Sequence, residues 1–543
     1  MKIFTKIKAF KKMSSQNKFD KYIKFSVILL ATGVFTFWAF SADRPLFDQF
    51  GFRQNQTAMT AQWFDVKNPI RGLFFYETPE FGAPWMVPFE FPLYQGVVAI
   101  LSRGSGLPLT TTGRLVSGLF FLATLIPLWF LVREMRLGLR FYFFSALLLV
   151  FSPLYLYWSR TFMIESTAVF FGFSFLACVA LGVSAWRKEG RVRLAWLWLV
   201  LALCCGVLCA LVKATTFPSF GLAALGLALF LSASYPLRSE WPHIARVISV
   251  IGILVILCIG AALLWTRHAD SLKSLNPISA HLVSKYLETW NYGTLAQKLS
   301  MDFWRNIILG RAVPQAVGSG WVLLILAPAL WFAKWRERFL LVCLVFLFLL
   351  PMVLFTNLHI IHRYYQYANS FWLVLAVALG FCIISRKIPT WSLILMMTMI
   401  LAFKIYTYSS IYYIATPWRW SPVMDVGKFI KKNTPKDSAI MVVGDDWSPE
   451  VDFYSKRKAL YIPNWVDGFF PVDEEVLCVA LKNPESMLGG LKLGAVIIKN
   501  QGLENSSLPK DRAVALGDYI ARLETGLTRK TIDNYDIYLL NEK

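Results

Sequence analysis

The sequence predicts an α-helical polytopic membrane protein of about eleven transmembrane helices with a small C-terminal α/β soluble domain. Three observations predict it. Of 543 residues, 56% are hydrophobic and only 16% charged, against about a quarter charged in an average soluble domain. Apolar runs of roughly 20 residues, the length that crosses a bilayer core, recur along most of the chain. Charge is unevenly spread: residues 425–543 hold 16 Lys/Arg and 18 Asp/Glu, whereas residues 1–424 carry a net +24. That positive excess sits in short loops between apolar runs, where topology determinants belong. A net charge of +22 therefore reads as membrane orientation, and no nucleic-acid partner is expected.

The elements follow in order. Met1–Lys24 carries eight lysines and one aspartate before the apolar run Phe25–Phe40. This is too basic, and the run too long, for a signal peptide, and no small-residue cleavage site follows. Residues 1–21 are read as a basic cytoplasmic N-terminus and the run as a retained first span. Spans are expected near 22–41, 115–132, 141–158, 167–185, 194–212, 217–234, 247–266, 317–333, 339–357, 369–385 and 389–409. The loops bearing Arg133/Arg136/Arg140, Arg187/Lys188/Arg191/Arg193, Arg238/Arg246, Lys334/Arg336/Arg338 and Arg386/Lys387 then all fall on the cytoplasmic side, as the positive-inside rule requires.

The run Phe91–Ser102 has 12 residues, too few to cross. It is read as a re-entrant or interfacial helix, because counting it would turn every later basic loop outward. The transmembrane part is thus 22–414, with outer loops 42–113 and 267–316, in a cell (inner) membrane. Residues 415–543 form the periplasmic or extracellular domain. Helices are expected at Met424–Lys432, Glu474–Leu481 and Arg512–Leu523, and strands at Ala439–Gly444, Lys458–Ile462, Ala495–Lys499 and Tyr535–Leu540.

Polar residues at outer helix ends are the candidates for chemistry, because ionisable groups near a bilayer core are costly and tend to be functional. After span one stands Asp48, followed by Arg53 and Gln54 in a polar QNQT run. The same loop supplies Glu90 and Tyr94, and Arg114 stands at the mouth of span two. Span three ends at Arg160 and Glu165, Lys213 caps span five, and span nine ends in His359, His362, Arg363, Tyr364 and Tyr365. Under the expected topology all of these lie on the outer face. Carboxylates, fixed cations and tyrosines together suit a phosphorylated lipid whose phosphate is held by Arg and Lys. Each cation has a plainer role as a snorkelling anchor, and the tyrosines as an aromatic belt. Asp48 is needed for neither.

The ordered set of Asp48, EFPLY at 90–94, GRLVS at 113–117, SPLYLYWSR at 152–160 and HRYYQ at 362–366 resembles bacterial members of the GT-C glycosyltransferase superfamily. It looks similar to the protein O-mannosyltransferase and lipid A aminoarabinose transferase groups, over roughly residues 20–410. The resemblance implies transfer of a sugar from a polyprenyl-phosphate donor to a glycan, glycolipid or protein acceptor outside the membrane. It implies that Asp48 is the first-loop catalytic aspartate and that Arg114 is the arginine following that loop. Gln49 stands where the mannosyltransferases carry a second acid.

This implied chemistry fits the residue types. A phosphate leaving group needs its developing charge stabilised by cations, here Arg53, Arg114, Arg160, Lys213 and the His362–Tyr365 stretch. The acceptor hydroxyl needs a general base, Asp48. Gln54, Glu90, Tyr94, Glu165 and His359 remain for substrate contacts. No metal site is assigned. A divalent metal is possible, with Asp48, Glu90, Glu165 and His359 as its ligand candidates. A transporter is the main alternative, but neither internal repeats nor ionisable residues mid-span are found. A non-catalytic lipid-binding assembly protein is the third reading.

Overall fold

The computed structural model describes residues 22–187, 190–232, 237–413, 420–463, 474–499, 510–523 and 527–540. The basic N-terminus 1–21 and Lys188 lie outside the described residues, as does the side chain of Arg238. The chain divides into two compact units. Of the described residues, the first takes those up to Ala42, Arg114–Ala261 and Tyr292–Ile414, and the second takes Asp43–Gly113, Ala262–Asn291 and Ala415 onward.

Eight helices among the described residues are long and apolar enough to cross a membrane: Tyr22–Ala39, Leu109–Glu134, Glu165–Trp186, Val192–Val212, Ile244–Lys273, Trp335–Leu354, Arg363–Ile384 and Thr390–Tyr413. A ninth is formed if Phe303–Val317 and Gly320–Phe332, bent by 81°, count as one broken span. The protein is therefore a multi-pass membrane protein, and eight or nine of the eleven expected spans are helices of full spanning length among the described residues. The difference has local causes. Expected span 141–158 is a 12-residue helix, Leu139–Val150, followed by Pro153–Trp158, because Pro153 starts a new helix and cannot continue the old one. Expected span 217–234 is a 16-residue helix, Phe217–Ser232. At ~1.5 Å per residue both fall short of a ~30 Å core. Expected span 317–333 is the second limb of the bent pair.

Within the first unit every residue of the helix Gln366–Ile384 is buried, the position expected of a helix apolar all round. One ionisable side chain corrects the expectation that none lies mid-span. Lys404 is 1% exposed, inside Thr390–Tyr413, and its Nζ donates to the carbonyls of Leu148 (3.0 Å) and Ala316 (3.3 Å). Both carbonyls belong to the last turns of helices, Leu139–Val150 and Val313–Val317, where a cation complements the helix dipole.

The second unit is built on a five-stranded sheet of order β2-β1-β3-β5-β4. Its strands are β1 (Ala439–Val443), β2 (Lys458–Ile462), β3 (Leu493–Lys499), β4 (Leu527–Ile532) and β5 (Tyr535–Leu540). β2, β1 and β3 are parallel, while β5 is antiparallel to β3 and to β4. Four strands lie where the sequence places them; β4 was not expected. Helices Pro422–Asn433, Glu474–Lys482 and Lys510–Leu523 also match expectation, and a short helix Glu450–Ser455 is added.

The first loop completes this sheet's edge. The amides of Ala459 and Tyr461 donate to the carbonyls of Pro79 (3.1 Å) and Glu80 (2.8 Å), so β2 is paired by loop residues on its outer side. Phe81, Trp85, Val87, Ile278 and Leu282 enter the same apolar core as the strands. The segment Leu93–Ser105 is a helix of 13 residues, below the length of a span.

Candidate active site

In the second unit, Asp48 sits in a turn fixed from the helix that follows it, Gly51–Gln62. Phe50, the residue before that helix, has φ 55° and ψ 46°, a left-handed conformation uncommon for a side chain of this size. Gly51 is required beside it: a Cβ there would stand 2.8 Å from the Leu46 carbonyl oxygen. Asn55, fully buried, donates to the carbonyls of Leu46 (2.9 Å) and Gly51 (3.0 Å). Gln54 Nε2 donates to Asp48 Oδ1 at 2.6 Å and to the Gln49 carbonyl at 3.1 Å. The turn is also held by Tyr454: its hydroxyl accepts from the Leu46 amide at 3.1 Å, and its ring stacks on Phe47 at 5.2 Å.

Arg53 and Glu90, expected to contact donor and substrate, form an ion pair at 2.7 Å. Arg53 also donates to Gln56 Oε1 at 2.5 Å. Gln56 in turn donates to Glu80 Oε1 at 3.3 Å, and Gln95 donates to Glu90 Oε1 at 3.0 Å. Glu80 is fully buried, and that burial pushes its carboxyl up to about 8. It is not among the sequence candidates, although an acid, one of two with Glu77, in the aromatic stretch FFYETPEFGAPW is a usable signal. Tyr94 is a further residue expected to contact substrate. It is fully buried, and its hydroxyl donates to the Gly113 carbonyl at 2.7 Å, so its place is inside the unit.

In the first unit the remaining candidates form a cation-rich cluster. Lys213 pairs with Glu165, both side chains at least nine-tenths buried. Its ammonium lies 4.2 Å from the ring centre of Tyr365 and 5.1 Å from that of Tyr364, distances at which ring faces attract a cation. His362 lies against both tyrosine rings, at 5.3 and 5.6 Å. Arg114 and Arg160 are each 2% exposed; Arg114 donates to the Arg160 carbonyl at 3.3 Å, and the Arg160 guanidinium lies 4.7 Å from the Tyr157 ring centre. Tyr157 stacks on Tyr412 at 4.7 Å.

His359 is buried, and burial brings its imidazole down to about 4, so it is neutral at pH 7. Its Nδ1 donates to the Phe355 carbonyl at 2.9 Å, since a carbonyl can only accept. Arg311, which the sequence reading passed over, donates to the carbonyls of His359 and Ile360. A lone arginine in the apolar run NIILGRAV is the same signal that marked Arg160. Among the described residues no three His, Cys, Asp or Glu come together in a group that could hold a metal ion.

No family model and no curated protein matches this sequence. Solved structures do match in fold. ArnT from Cupriavidus metallidurans bound to undecaprenyl phosphate has a TM-score of 0.58 at 13% identity, over 94% of this chain and 97% of that one. The oligosaccharyltransferase AglB from Archaeoglobus fulgidus, in complex with an inhibitory peptide and a dolichol-phosphate, gives 0.53 at 12% identity over 96% and 75%. The arabinofuranosyltransferase AftD from mycobacteria gives 0.52 at 13% identity over 96% of this chain and 40% of that one. At these identities the likeness is one of fold, a fold this chain shares with all three structures.

Proposed function

We propose that this chain, similar to the GT-C glycosyltransferases, is a membrane glycosyltransferase that moves a sugar from a polyprenyl-phosphate donor to an acceptor hydroxyl at the outer face of the cytoplasmic membrane. The observation that carries the reading is the buried cluster of Arg114, Arg160 and Lys213, with the half-buried Arg311, around the tyrosines of the first unit. Several buried cations with Glu165 as the paired carboxylate are costly to keep in an apolar bundle. A phosphate that joins them returns that cost as charge-assisted hydrogen bonds. The ArnT and AglB structures hold undecaprenyl phosphate and dolichol-phosphate, and these lipids supply the donor class.

The residues divide the work. Arg114, Arg160, Lys213, His362 and Arg363, with Tyr364 and Tyr365 beside them, hold the phosphate and stabilise the charge that develops as the sugar–phosphate bond breaks. Asp48, oriented by Gln54, takes the proton from the acceptor hydroxyl as that oxygen attacks the anomeric carbon, with inversion. Glu90 and Arg53 hold the loop through their ion pair, and Glu165 sets the position of Lys213. The N-terminus is cytoplasmic and the sheet domain lies outside.

The test is direct. Purified protein incubated with radiolabelled polyprenyl-phosphate sugars and candidate glycan, glycolipid and protein acceptors should transfer label. Solute flux without transfer supports a transporter, and donor binding without transfer a scaffold; either overturns the proposal.

A further inference from the structure

The first unit contains a cavity of about 310 Å³ with almost wholly apolar walls, a volume typical of ligand sites. It is a deep feature of the bundle. Its floor includes Leu176 and Trp372, each 3% exposed, while Phe346 at its mouth is 52% exposed. On the helix Glu165–Trp186 its lining residues Phe173 and Leu176 lie eight and eleven residues from Glu165, ~12–16 Å along the axis. The cavity is therefore displaced along the bundle from the Glu165–Lys213 pair, toward the arginine-bearing loops.

The other end of the cavity is basic. Lining residues Met135 and Leu137 flank Arg136, which is exposed and held at φ 56°. Lining residue Phe230 is covered by Arg336, whose guanidinium lies 4.4 Å from the ring centre and donates to the Phe230 carbonyl at 3.2 Å. The two carboxylates of these loops, Glu134 and Glu337, are each held by another arginine, Arg133 and Arg386, at 2.8 and 2.7 Å.

We infer that this cavity is a site for one acyl chain of an anionic phospholipid, whose headgroup rests on Arg136 and Arg336. An apolar slot excludes polar solutes, and a basic pocket between transmembrane helices selects anionic headgroups. The site is separate from the donor site and does not depend on the proposed reaction.

Gly226 provides the test. It lines the cavity, and a Cβ added there meets nothing within 4 Å. Gly226→Phe should therefore fill the slot without disturbing the backbone, with Gly226→Ala as folding control. Full-length protein is purified in mild detergent, delipidated and titrated with phosphatidylglycerol or phosphatidylcholine of identical chains, with native mass spectrometry and the thermal midpoint as readouts.

Wild type and Gly226→Ala should retain phosphatidylglycerol and gain thermal stability from it, and Gly226→Phe should do neither. The double variant Arg136→Gln/Arg336→Gln should still bind lipid but lose about tenfold of its preference for the anionic headgroup. If Gly226→Phe fails to fold, Leu222→Trp fills the mouth instead. Unchanged phosphatidylglycerol binding in a folded cavity-filled variant overturns the inference. So does equal wild-type affinity for the two lipids, or displacement of phosphatidylglycerol from this site by polyprenyl phosphate.

Discussion

Gln54 donates from Nε2 to Oδ1 of Asp48 at 2.6 Å, from a fully buried position one helical turn into Gly51–Gln62. One carboxylate oxygen is thus fixed by a neutral donor. Asp48→Asn keeps size and reach but removes the proton acceptor, and turnover should fall ~100- to 10,000-fold. Donor affinity should persist, because a carboxylate contributes no attraction to a phosphate. Gln54→Leu should lower turnover less than Asp48→Asn and leave donor affinity alone. Asp43→Asn is the control and should stay active. Full activity in Asp48→Asn, at matched expression, sinks the general-base assignment.

Lys213 and Glu165 pose a different question, since one pair serves both fold and site. Breaking a buried pair from one side costs roughly 3–5 kcal/mol, whereas replacing both partners with apolar residues can be nearly neutral. Lys213→Met alone should be strongly destabilised, and Lys213→Met/Glu165→Leu should recover much of that loss. Donor affinity should be lost in both. Recovery of donor binding together with stability in the double variant would make the pair purely structural.

Arg160 offers the cleaner measure of phosphate contact. Arg160→Ala should weaken donor binding by ~1–3 kcal/mol, the value of one charge-assisted hydrogen bond, as read by lipid titration of the detergent-solubilised protein. A folded variant with unchanged donor affinity and turnover returns Arg160 to the role of interfacial anchor over Tyr157.

What the sequence made legible was local. The strands AIMVV and KALYI are continuous apolar runs with β-branched residues, and both are fully or almost fully buried in the sheet. β4, LTRKTI, is a polar edge strand with no such run, although Asp533, at φ 53°, and Asn534 form a turn signal before β5. Span positions followed hydropathy, but the 81° bend follows from backbone chemistry at Gly318, φ 96°. In the site, Asp48 and Gln54 are neighbours in sequence, so one polar motif revealed both. Arg53 pairing with Glu90, Glu80 meeting the β2 edge and Lys404 capping two distant helices are long-range contacts, and no local pattern announces them.

Topology is testable by cysteine-accessibility labelling. Ser105, at the end of a helix too short to span, should react with an impermeant reagent from outside. Gly138, in the basic loop after Leu109–Glu134, should react only once the cytoplasmic side is opened. Labelling of Gly138 from outside reverses the orientation, and labelling of Ser105 only from the cytoplasm makes Leu93–Ser105 part of a crossing.

The last prediction concerns pH. Burial raises the Glu80 carboxyl from 4.5 to about 8 and raises that of Asp452, also fully buried, well above its usual range, with the Glu80 charge adding to the effect. An acid that is harder to ionise when folded binds more protons in the native state than in the unfolded one. Stability then falls as pH rises, from the unfolded value of 4.5 toward the folded value near 8, and the loss is complete above it. The thermal midpoint of the purified protein should decline between pH 5 and 8.5. Glu80→Gln keeps the hydrogen bond to Gln56 within reach and removes the titration, so its profile should be flatter and its midpoint higher than wild type at pH 8.5. The effect on stability is on the order of a few kcal/mol for shifts of this size. Glu80 joins the chain Gln56–Arg53–Glu90, where its ionised form is attracted by Arg53 and repelled by Glu90, the burial cost outweighing both. A wild-type midpoint that rises across this window, or a Glu80→Gln profile parallel to it, would show that Glu80 is already ionised at neutral pH.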